Sequence, residues 1–333
     1  MRVTLREVAE KAGVSRSAVS RTFTEGASVS PKTRAKVMKA AEALGYQPNA
    51  LASSLTTGRT KLIGLISNNF KNPFFLEVFD LFTRGLQEAG LRPLLVNLTD
   101  ETDPEQSLRM LRQYSVDAVI VASSTLPTSF ATAFRVAGVP VLHCFARASD
   151  NPDVHVVGIN NVAAGRLAGR EMKARGYSKV GFLGGPDSAT STQDRLQGFA
   201  QEAQAQGMQV TATHARSYSF AAGRAAMLSL LQHTPAEAYF CGDDVISIGA
   251  LSALRDSGLR VPEDIGLLGV NDMEMAGWNG IDLTTIRQPV KQIVEAAIAQ
   301  LGLLLEDPQR PPEARLFSCE VVERATLRPP VQE

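Results

Sequence analysis

From Lys61 onward the chain alternates short apolar runs with stretches of helical periodicity, and this alternation strongly constrains the fold. Apolar runs bounded by turn residues indicate strands that are buried on both faces, and helical stretches between them indicate crossovers in a parallel sheet. The runs are KLIGLISN, PLLVNLT, DAVIVASS, VPVLHCF, VHVVGIN, KVGFLGG, EAYFCGDD and IGLLGVND. Because residues 61–333 exceed one ordinary sheet domain, the pattern predicts two such sheets.

The formal net charge of zero conceals a division along the chain. Residues 1–61 carry 11 basic and 4 acidic side chains, a net charge of +7, and the remaining residues carry a net charge of −7. A basic head on an acidic body indicates a polyanionic partner for the head, since phosphate attraction dominates sequence-independent binding to nucleic acid. A solvated basic face is the alternative, and charge alone leaves it open.

Residues 1–47 carry the signals of three short helices. Thr4 and Glu7 have the spacing of a capping box ahead of a first helix, which Gly13 should end. Ser15 can cap a second helix, and Ser30 followed by proline can cap a third. The first two helices are joined by a tight turn, which predicts a helix-turn-helix whose second helix enters the DNA major groove.

Polar side chains occupy the outward face of that second helix. Ala18 and Val19 take the inward positions, which leaves Arg16, Ser17 and Arg21 facing out. An arginine there can form two hydrogen bonds to guanine O6 and N7, worth roughly 1–3 kcal/mol of discrimination. The segment PNALASSLTTGRT that follows is amphipathic over only two turns, so it should be helical only when something supports it.

Two segments resemble the DNA-binding head and hinge of the LacI/GalR family of bacterial transcription regulators. They are VTLREVAEKAGVSRSAVSRTF and VSPKTRAKVMKAAEALGYQPNALASSL, and the likeness continues through almost the whole chain. The resemblance implies a helix-turn-helix domain at 1–47, a hinge helix and linker at 48–60, and a ligand-binding and dimerisation domain at 61–333. Thr24 departs from the asparagine of many relatives.

The resemblance also implies the residues that contact DNA. Arg16, Ser17 and Arg21 match base-reading positions, and Leu55 with its twin from a second subunit would wedge into the minor groove and kink the duplex. Taken alone, Leu55 would be read as a core leucine. The implied DNA-binding set is Thr4, Ser15, Arg16, Ser17, Ser20, Arg21, Thr33, Asn49, Ala52 and Leu55.

For the body, the resemblance implies a type I periplasmic-binding-protein fold of two doubly wound parallel-sheet lobes. One lobe would span about 62–159 plus 288–317, and the other about 160–287 plus 318–329. Ligands of such sheets bind beyond the carboxyl ends of the strands, here between the lobes. The implied ligand-binding set is Asn68, Asn69, Phe74, Arg195, Tyr218, Asp243 and Asp272.

Some strand-end residues have simpler interpretations. Asn72 precedes a proline and is interpreted as a helix start, Asn160 as structural, and Asp244 as the cap of the following helix. His143 lies in an apolar run and is interpreted as a core histidine. Arg195 and Asp272 could also be surface salt-bridge partners.

The sequence lacks the motifs of a catalytic, nucleotide or metal site. It has no GxSxG elbow, HExxH pair, GxGxxG or GxxxxGK[ST] loop, and its three cysteines are widely spaced. No cofactor is therefore expected. A solute receptor or a sugar-processing enzyme remains the alternative for the body alone, because such a fold hosts several functions. The polar opening and the absence of a long apolar run predict a cytoplasmic protein.

Together these features predict a repressor whose affinity for a pseudo-palindromic operator is set by a small molecule in the cleft. A sugar, sugar acid or polyol suits an arginine with several amide and carboxyl groups and aromatic walls, and the family resemblance adds a nucleobase as an alternative. A homodimer is expected, because a twofold protein matches a twofold site and the tail ERATLRPPVQE has no leucine heptads. The sequence leaves open whether the effector releases DNA or promotes its binding.

Overall fold

The computed structural model describes residues 3–24, 26–48, 54, 58–98 and 104–331. The chain divides into two compact units, Met1–Lys61 and Leu62–Glu333. Within the described ranges, no helix has the length and apolar content needed to cross a bilayer. Asn49, Ala52 and Leu55 lie outside the described residues, and so does most of the predicted hinge helix.

The first unit contains three helices, α1 (Leu5–Ala12), α2 (Arg16–Phe23) and α3 (Pro31–Leu44). The predicted capping box is present, since Glu7 N donates to Thr4 Oγ1 and Thr4 N donates to Glu7 Oε2. Gly13 ends α1 at φ 64°, a left-handed conformation that glycine adopts without steric cost. Six buried side chains form the core of this unit: Val8, Ala9, Val19, Val37, Ala40 and Ala41. The predicted helix-turn-helix is confirmed.

The second unit contains two six-stranded sheets. The strands and helices up to the first crossover are β1 (Leu62–Ser67), α4 (Pro73–Glu88), β2 (Arg92–Asn97), α5 (Pro104–Gln113), β3 (Ala118–Ala122), α6 (Thr128–Val136), β4 (Val141–Cys144) and β5 (His155–Ile159).

The elements from there to the second crossover are α7 (Asn161–Ala174), β6 (Lys179–Gly184), α8 (Thr190–Ala205), β7 (Gln209–His214), α9 (Phe220–Leu230), β8 (Ala238–Cys241), α10 (Asp244–Asp256), β9 (Gly266–Asn271) and β10 (Thr285–Arg287). The chain then forms α11 (Val290–Glu306), β11 (Ala314–Phe317) and β12 (Glu320–Val322).

The first sheet has the strand order β11-β5-β4-β3-β1-β2, and the second has the order β12-β10-β9-β8-β6-β7. The chain thus passes between the sheets three times, after β5, after β10 and after β11. The two doubly wound lobes that the sequence predicts are confirmed, with one difference. The short edge strand β12 runs antiparallel to β10, because it follows β11 after only two residues and has no crossover helix.

Both faces of the first sheet are covered, which explains its continuous apolar runs. All five residues of β3 are buried. One apolar cluster joins a face of this sheet to the second lobe, and a smaller cluster around Phe130 and Phe134 of α6 covers the other face. Such burial fixes the strand register, so the residues beyond the strand ends are held on rigid supports.

The tail folds back onto the second lobe. Arg175 is buried and donates through Nη1 to the carbonyl of Arg328 at 2.6 Å, and Val331 N donates to the carbonyl of Ala174 at 2.9 Å. Arg328 also lies over the ring of Tyr177, 4.7 Å from its centroid. These contacts anchor the C-terminal segment along α7.

Candidate effector cleft and DNA-reading surface

The first unit presents a polar surface on α2. Arg16, Ser17 and Arg21 are exposed, and Val19 on the opposite side is fully buried. Arg16 makes no ion pair with any described residue, while Arg21 Nε donates to the carbonyl of Ser17 at 3.4 Å. The base-reading prediction requires free arginine donors on one helical face, and this arrangement supplies them.

The other DNA residues predicted in this unit lie mostly at helix N-termini. Thr4 is the N-cap of α1, Ser15 is the N-cap of α2, and Thr33 lies in the first turn of α3. Ser20 is half-buried within α2. Helix N-termini carry partial positive charge and free N–H groups, which suits the predicted contacts with phosphates.

In the second unit, the carboxyl ends of strands from both lobes face each other across a cleft. One part of it, the inner cavity, has four aromatic walls, Phe74, Phe75, Phe145 and Tyr218. Its polar lining includes Asn161, Arg195, Asp243, Asn271 and Gln288. The volume of this cavity that the centre of a water molecule can occupy is ≈ 20 Å³, which is room for about one water molecule.

Asp243 connects the two lobes at this cavity. Its Oδ2 accepts hydrogen bonds from Nδ2 of Asn72 and Nδ2 of Asn271, both at 2.9 Å. Its Oδ1 accepts from Val245 N at 2.8 Å, which makes Asp243 the N-cap of α10. Burial raises the pKa of the carboxyl above its usual value, although these donors and Arg195 oppose the rise.

Asn72 belongs to the first lobe, so its bond to Asp243 crosses the cleft. Asn72 is also the N-cap of α4, as expected from the proline that follows it, because its Oδ1 accepts from Phe74 N at 3.1 Å. One side chain therefore starts a helix through its oxygen and joins the lobes through its nitrogen. Asn160 is likewise a helix cap, accepting from Ala163 N at 2.9 Å.

Asp244 has a different role from the one expected. It is the first residue of α10 rather than its cap, and it is fully buried. Its Oδ1 accepts from Thr285 Oγ1 at 2.6 Å and its Oδ2 from Met273 N at 2.9 Å. Burial raises the pKa of this carboxyl well above its usual value. The cap position goes to Asp243, because its extended backbone at φ −168° directs the carboxylate back to the first turn.

Arg195 lines the inner cavity and is only 5% exposed. Its Nε donates to Asn161 Oδ1 at 2.9 Å and its Nη1 to the carbonyl of Gly242 at 2.6 Å. Helices α7 and α8 approach closely here, since a Cβ on Gly165 would lie 2.2 Å from the carbonyl oxygen of Arg195. The guanidinium is held in place and keeps further N–H donors for a ligand.

A wider space, the outer groove, lies at the mouth of the cleft. Its volume is ≈ 750 Å³, and Tyr218 lines both it and the inner cavity. The Tyr218 hydroxyl is within 2.7 Å of Thr192 Oγ1 and 3.2 Å of Ser191 Oγ. Asn68 and Asn69 line the groove, and both contact the hydroxyls of the neighbouring strand end. Asn68 Oδ1 accepts from Ser123 Oγ at 2.8 Å.

A second link between the lobes, the rim clasp, joins Arg147 after β4 to Asp194 on α8. Arg147 Nε lies 3.0 Å from Asp194 Oδ2 and its Nη2 lies 2.5 Å from Asp194 Oδ1. The same Nη2 also donates to the carbonyl of Thr190 at 3.2 Å. The paired geometry of this ion pair favours the observed separation of the lobes.

The structure divides the predicted ligand-binding residues among three places. Phe74, Arg195, Tyr218 and Asp243 line the inner cavity, while Asn68 and Asn69 line the outer groove. Asp272 lines neither, because Arg287 Nε and Arg324 Nη2 each lie 2.7 Å from one of its carboxylate oxygens.

Asn271 is the polar residue of the β9 end that lines the inner cavity, one position before Asp272. Gln288, Phe145 and Ser124 also line the inner cavity but are not among the predicted residues. Phe145 is the last residue of the VPVLHCF run, and Gln288 begins the segment predicted to return to the first lobe, so both positions carried a signal.

His143 and the three cysteines line neither the inner cavity nor the outer groove. His143 is fully buried in β4, with Nε2 3.2 Å from the carbonyl oxygen of Ser123, and burial lowers its pKa to about 4. Cys144 and Cys241 are buried free thiols, and Cys319 is half-buried. Over the described part of the chain, no three His, Cys, Asp or Glu side chains are grouped to hold a metal ion.

Comparison with known proteins supports the same division into head and body. Residues 4–49 match the family described as bacterial regulatory proteins, lacI family, and residues 170–327 match a periplasmic binding protein-like domain. The chain is 32% identical to the HTH-type transcriptional repressor PurR of Proteus mirabilis over 90% of this chain and 89% of that protein. The same percentages apply to PurR of Serratia proteamaculans.

Two solved structures are similar over almost their whole length. A lac repressor dimer bound to operator and the anti-inducer ONPF has a TM-score of 0.88 and 26% identity, covering 99% of this chain and 100% of that one. A complex of the transcriptional regulator CelR with cellobiose has a TM-score of 0.72 and 28% identity, covering 98% and 100%.

A helix-turn-helix head followed by two lobes around a polar cleft defines a DNA-binding transcription regulator with an effector-binding domain. The chain belongs to the LacI family of bacterial regulatory proteins. The family resemblance inferred from the sequence is therefore confirmed.

Proposed function

We propose that this protein is a homodimeric cytoplasmic repressor whose operator affinity is set by a small molecule bound between the lobes. Four relatives named as transcriptional repressors, each at least 31% identical over about nine-tenths of the chain, support the repressor role. The similarity to a lac repressor dimer bound to its operator supports a dimeric state and an operator as the DNA partner. Arg16, Ser17 and Arg21 read base edges in the major groove, and Thr4, Ser15, Ser20 and Thr33 hold phosphates. In the linker, Asn49, Ala52 and Leu55 contact the minor groove.

One observation carries the effector response, namely the Asn72–Asp243 hydrogen bond across a cavity with room for about one water molecule. A ligand of even six heavy atoms needs more space than one water molecule provides. Entry of an effector into the inner cavity therefore requires this bond to break or the lobes to move apart. Because effector occupancy and lobe separation are linked, the ligand shifts the balance between two arrangements of the body.

The chain connects this motion to the head. β1 starts at Leu62, directly after the linker, and it belongs to the lobe that contributes Asn72. A shift of this lobe against the same lobe of a dimer mate changes the spacing of the two linkers. Coupling of roughly 1–3 kcal/mol is typical of such linkage, and operator binding alters effector affinity by the same factor.

The effector is a sugar, sugar acid or polyol. Phe74 and Tyr218 offer aromatic faces to the apolar side of a sugar ring, and Arg195 offers donors to its hydroxyls. Asp243 accepts hydrogen bonds, and Asn68 and Asn69 line the way in. The cellobiose complex of CelR supports a carbohydrate in a body of this architecture.

Selection of duplexes from a random pool with the full-length protein tests the DNA assignment, and titration of candidate sugars then tests the response. We expect one pseudo-palindromic sequence to be enriched, and an effector to change its affinity by about 5- to 150-fold. The sign of that change identifies the effector as inducer or co-repressor. Equal binding to every duplex, with and without each sugar, would overturn the proposal.

A further inference from the structure

The outer groove carries positive charge from both lobes. Lys71 of the first lobe and Arg216 of the second both line it and both are exposed. Neither forms an ion pair with a described residue, and no aspartate or glutamate is among the residues that line the groove in the described part of the chain. The groove therefore offers an anion one cation from each lobe.

Helix N-termini add to this charge. The N-cap residues of α4, α8 and α9 line the groove, namely Asn72, Ala189 and Ser219. The side chains of Asn72 and Ser219 cap their own helices, but Ala189 has no acceptor to offer. The first turn of the 16-residue helix α8 therefore keeps backbone N–H groups for an external acceptor, and its partial positive charge favours an anion.

The inner cavity requires a hydrogen-bond donor, whereas the outer groove favours an anion. Gln288 is 5% exposed and donates through Nε2 to Asn271 Oδ1 at 2.6 Å, while its Oε1 is buried without a hydrogen-bond partner among the described residues. A buried acceptor left unpaired is costly, so this end of the cleft calls for a hydrogen-bond donor. A hydroxyl group supplies one without bringing charge to a carboxylate that already accepts three bonds.

We infer that the effector is an anionic polyol. Its hydroxyl-bearing end enters the inner cavity against Gln288, and its phosphate or carboxylate group lies in the outer groove between Lys71 and Arg216. This inference rests on the proposed effector site and narrows its ligand class to sugar phosphates and sugar acids. Because the two cations belong to different lobes, the affinity for the anion depends on the separation of the lobes.

Thermal unfolding of the full-length protein without DNA tests the groove. The probes are inorganic phosphate and acetate, each compared with chloride at the same ionic strength. Phosphate at several times its dissociation constant should raise the midpoint by about 2–4 °C. A smaller rise in Lys71→Gln/Arg216→Gln than in the wild type supports the inference. The matched control Arg92→Gln/Lys173→Gln removes the same charge at exposed sites that do not line the groove and should keep the rise.

The control also accounts for phosphate bound by the basic head, which is the same in all three proteins. A rise with acetate alone assigns the groove to carboxylates, and a larger rise with phosphate assigns it to phosphorylated effectors. No rise in the wild type would overturn the inference, as would an equal rise in both double variants.

The experiments test the repressor function and the anion site in the outer groove separately. If the protein binds phosphate through Lys71 and Arg216 but prefers no duplex, the anion site is supported and the repressor function is refuted. A protein that selects one duplex but shows no groove-dependent effect would retain the repressor role alone.

Discussion

Replacement of Asn72 by serine isolates the hydrogen bond that spans the cleft. Serine is about as good an N-cap as asparagine, so α4 keeps its start. Its shorter side chain cannot reach Asp243 Oδ2, which Asn72 Nδ2 contacts at 2.9 Å. Asp243 keeps its bonds from Asn271 and Val245, so no buried oxygen loses every partner.

The expected decrease in the free energy of unfolding follows from that geometry. A hydrogen bond contributes about 0.5–1.5 kcal/mol between neutral groups and about 1.5–3 kcal/mol when one partner is charged, and the remaining donors to Asp243 place the loss between these ranges, at about 1–2 kcal/mol. Urea unfolding should show this decrease in Asn72→Ser. Asn72→Ala should lose about 1 kcal/mol more, because alanine removes the cap as well. If the bond must break before an effector enters, Asn72→Ser should bind that effector about 5- to 30-fold more tightly.

Asn160→Ser is the matched control. Asn160 also caps a helix, is exposed and forms no hydrogen bond across the cleft with any residue that the structure describes, so its change should stay within about 0.5 kcal/mol of the wild type. Equal stability of Asn72→Ser and the control would refute the assigned contribution of the bond. Weaker effector binding by Asn72→Ser would refute the idea that the bond competes with the ligand.

Four further predictions concern the head, the linker, a buried histidine and the assembly. Arg16→Ala should relax base preference at one operator position by about 1–3 kcal/mol in competition with substituted duplexes, and an unchanged preference would remove Arg16 from base reading. Leu55→Ala should reduce DNA bending and affinity in gel-shift assays while calorimetry shows unchanged effector binding; lost effector binding would count against the minor-groove role. The pKa of His143 is lowered to about 4, so its contribution to stability, about 3 kcal/mol, is present above pH 6.5 and lost as the pH falls towards 4. Acid titration of His143→Gln should lack this loss, and identical acid sensitivity would contradict it. Sedimentation should find dimers, and stable tetramers at low concentration would overturn the assembly.

The fold was predictable because its main helices and strands depend on patterns of neighbouring residues in the sequence. The capping box at Thr4 and Glu7 and the caps at Ser15 and Ser30 depend on residues three or fewer positions away, and all of them are present. The buried strands follow from their continuous apolar runs. The reversal of β12 was not predictable, because a three-residue edge strand has too short a pattern to indicate its direction.

The cleft was less predictable, since its geometry depends on which of two neighbouring residues turns inward. β9 ends at Asn271, and the backbone there has φ 120° followed by φ 57° at Asp272. These left-handed conformations direct Asn271 towards Asp243 and Asp272 towards Arg287 and Arg324. A strand-end acid is a reasonable ligand from its type alone, but the arginines that occupy it lie 15 and 52 positions further along the chain.

Asp243 contributes more to the cleft than its sequence context suggests. Its cap of α10 is a local bond that many aspartates make, but its other oxygen collects donors from two separate lobes. Separation of the lobes therefore has an electrostatic cost, because withdrawal of Asn72 removes one of the hydrogen-bond donors that offset the burial of the Asp243 carboxylate. An effector that supplies a hydroxyl donor to Asp243 would replace the lost bond. The cleft can thus exchange an internal partner for a ligand at low net cost, which suits a sensor that must respond reversibly.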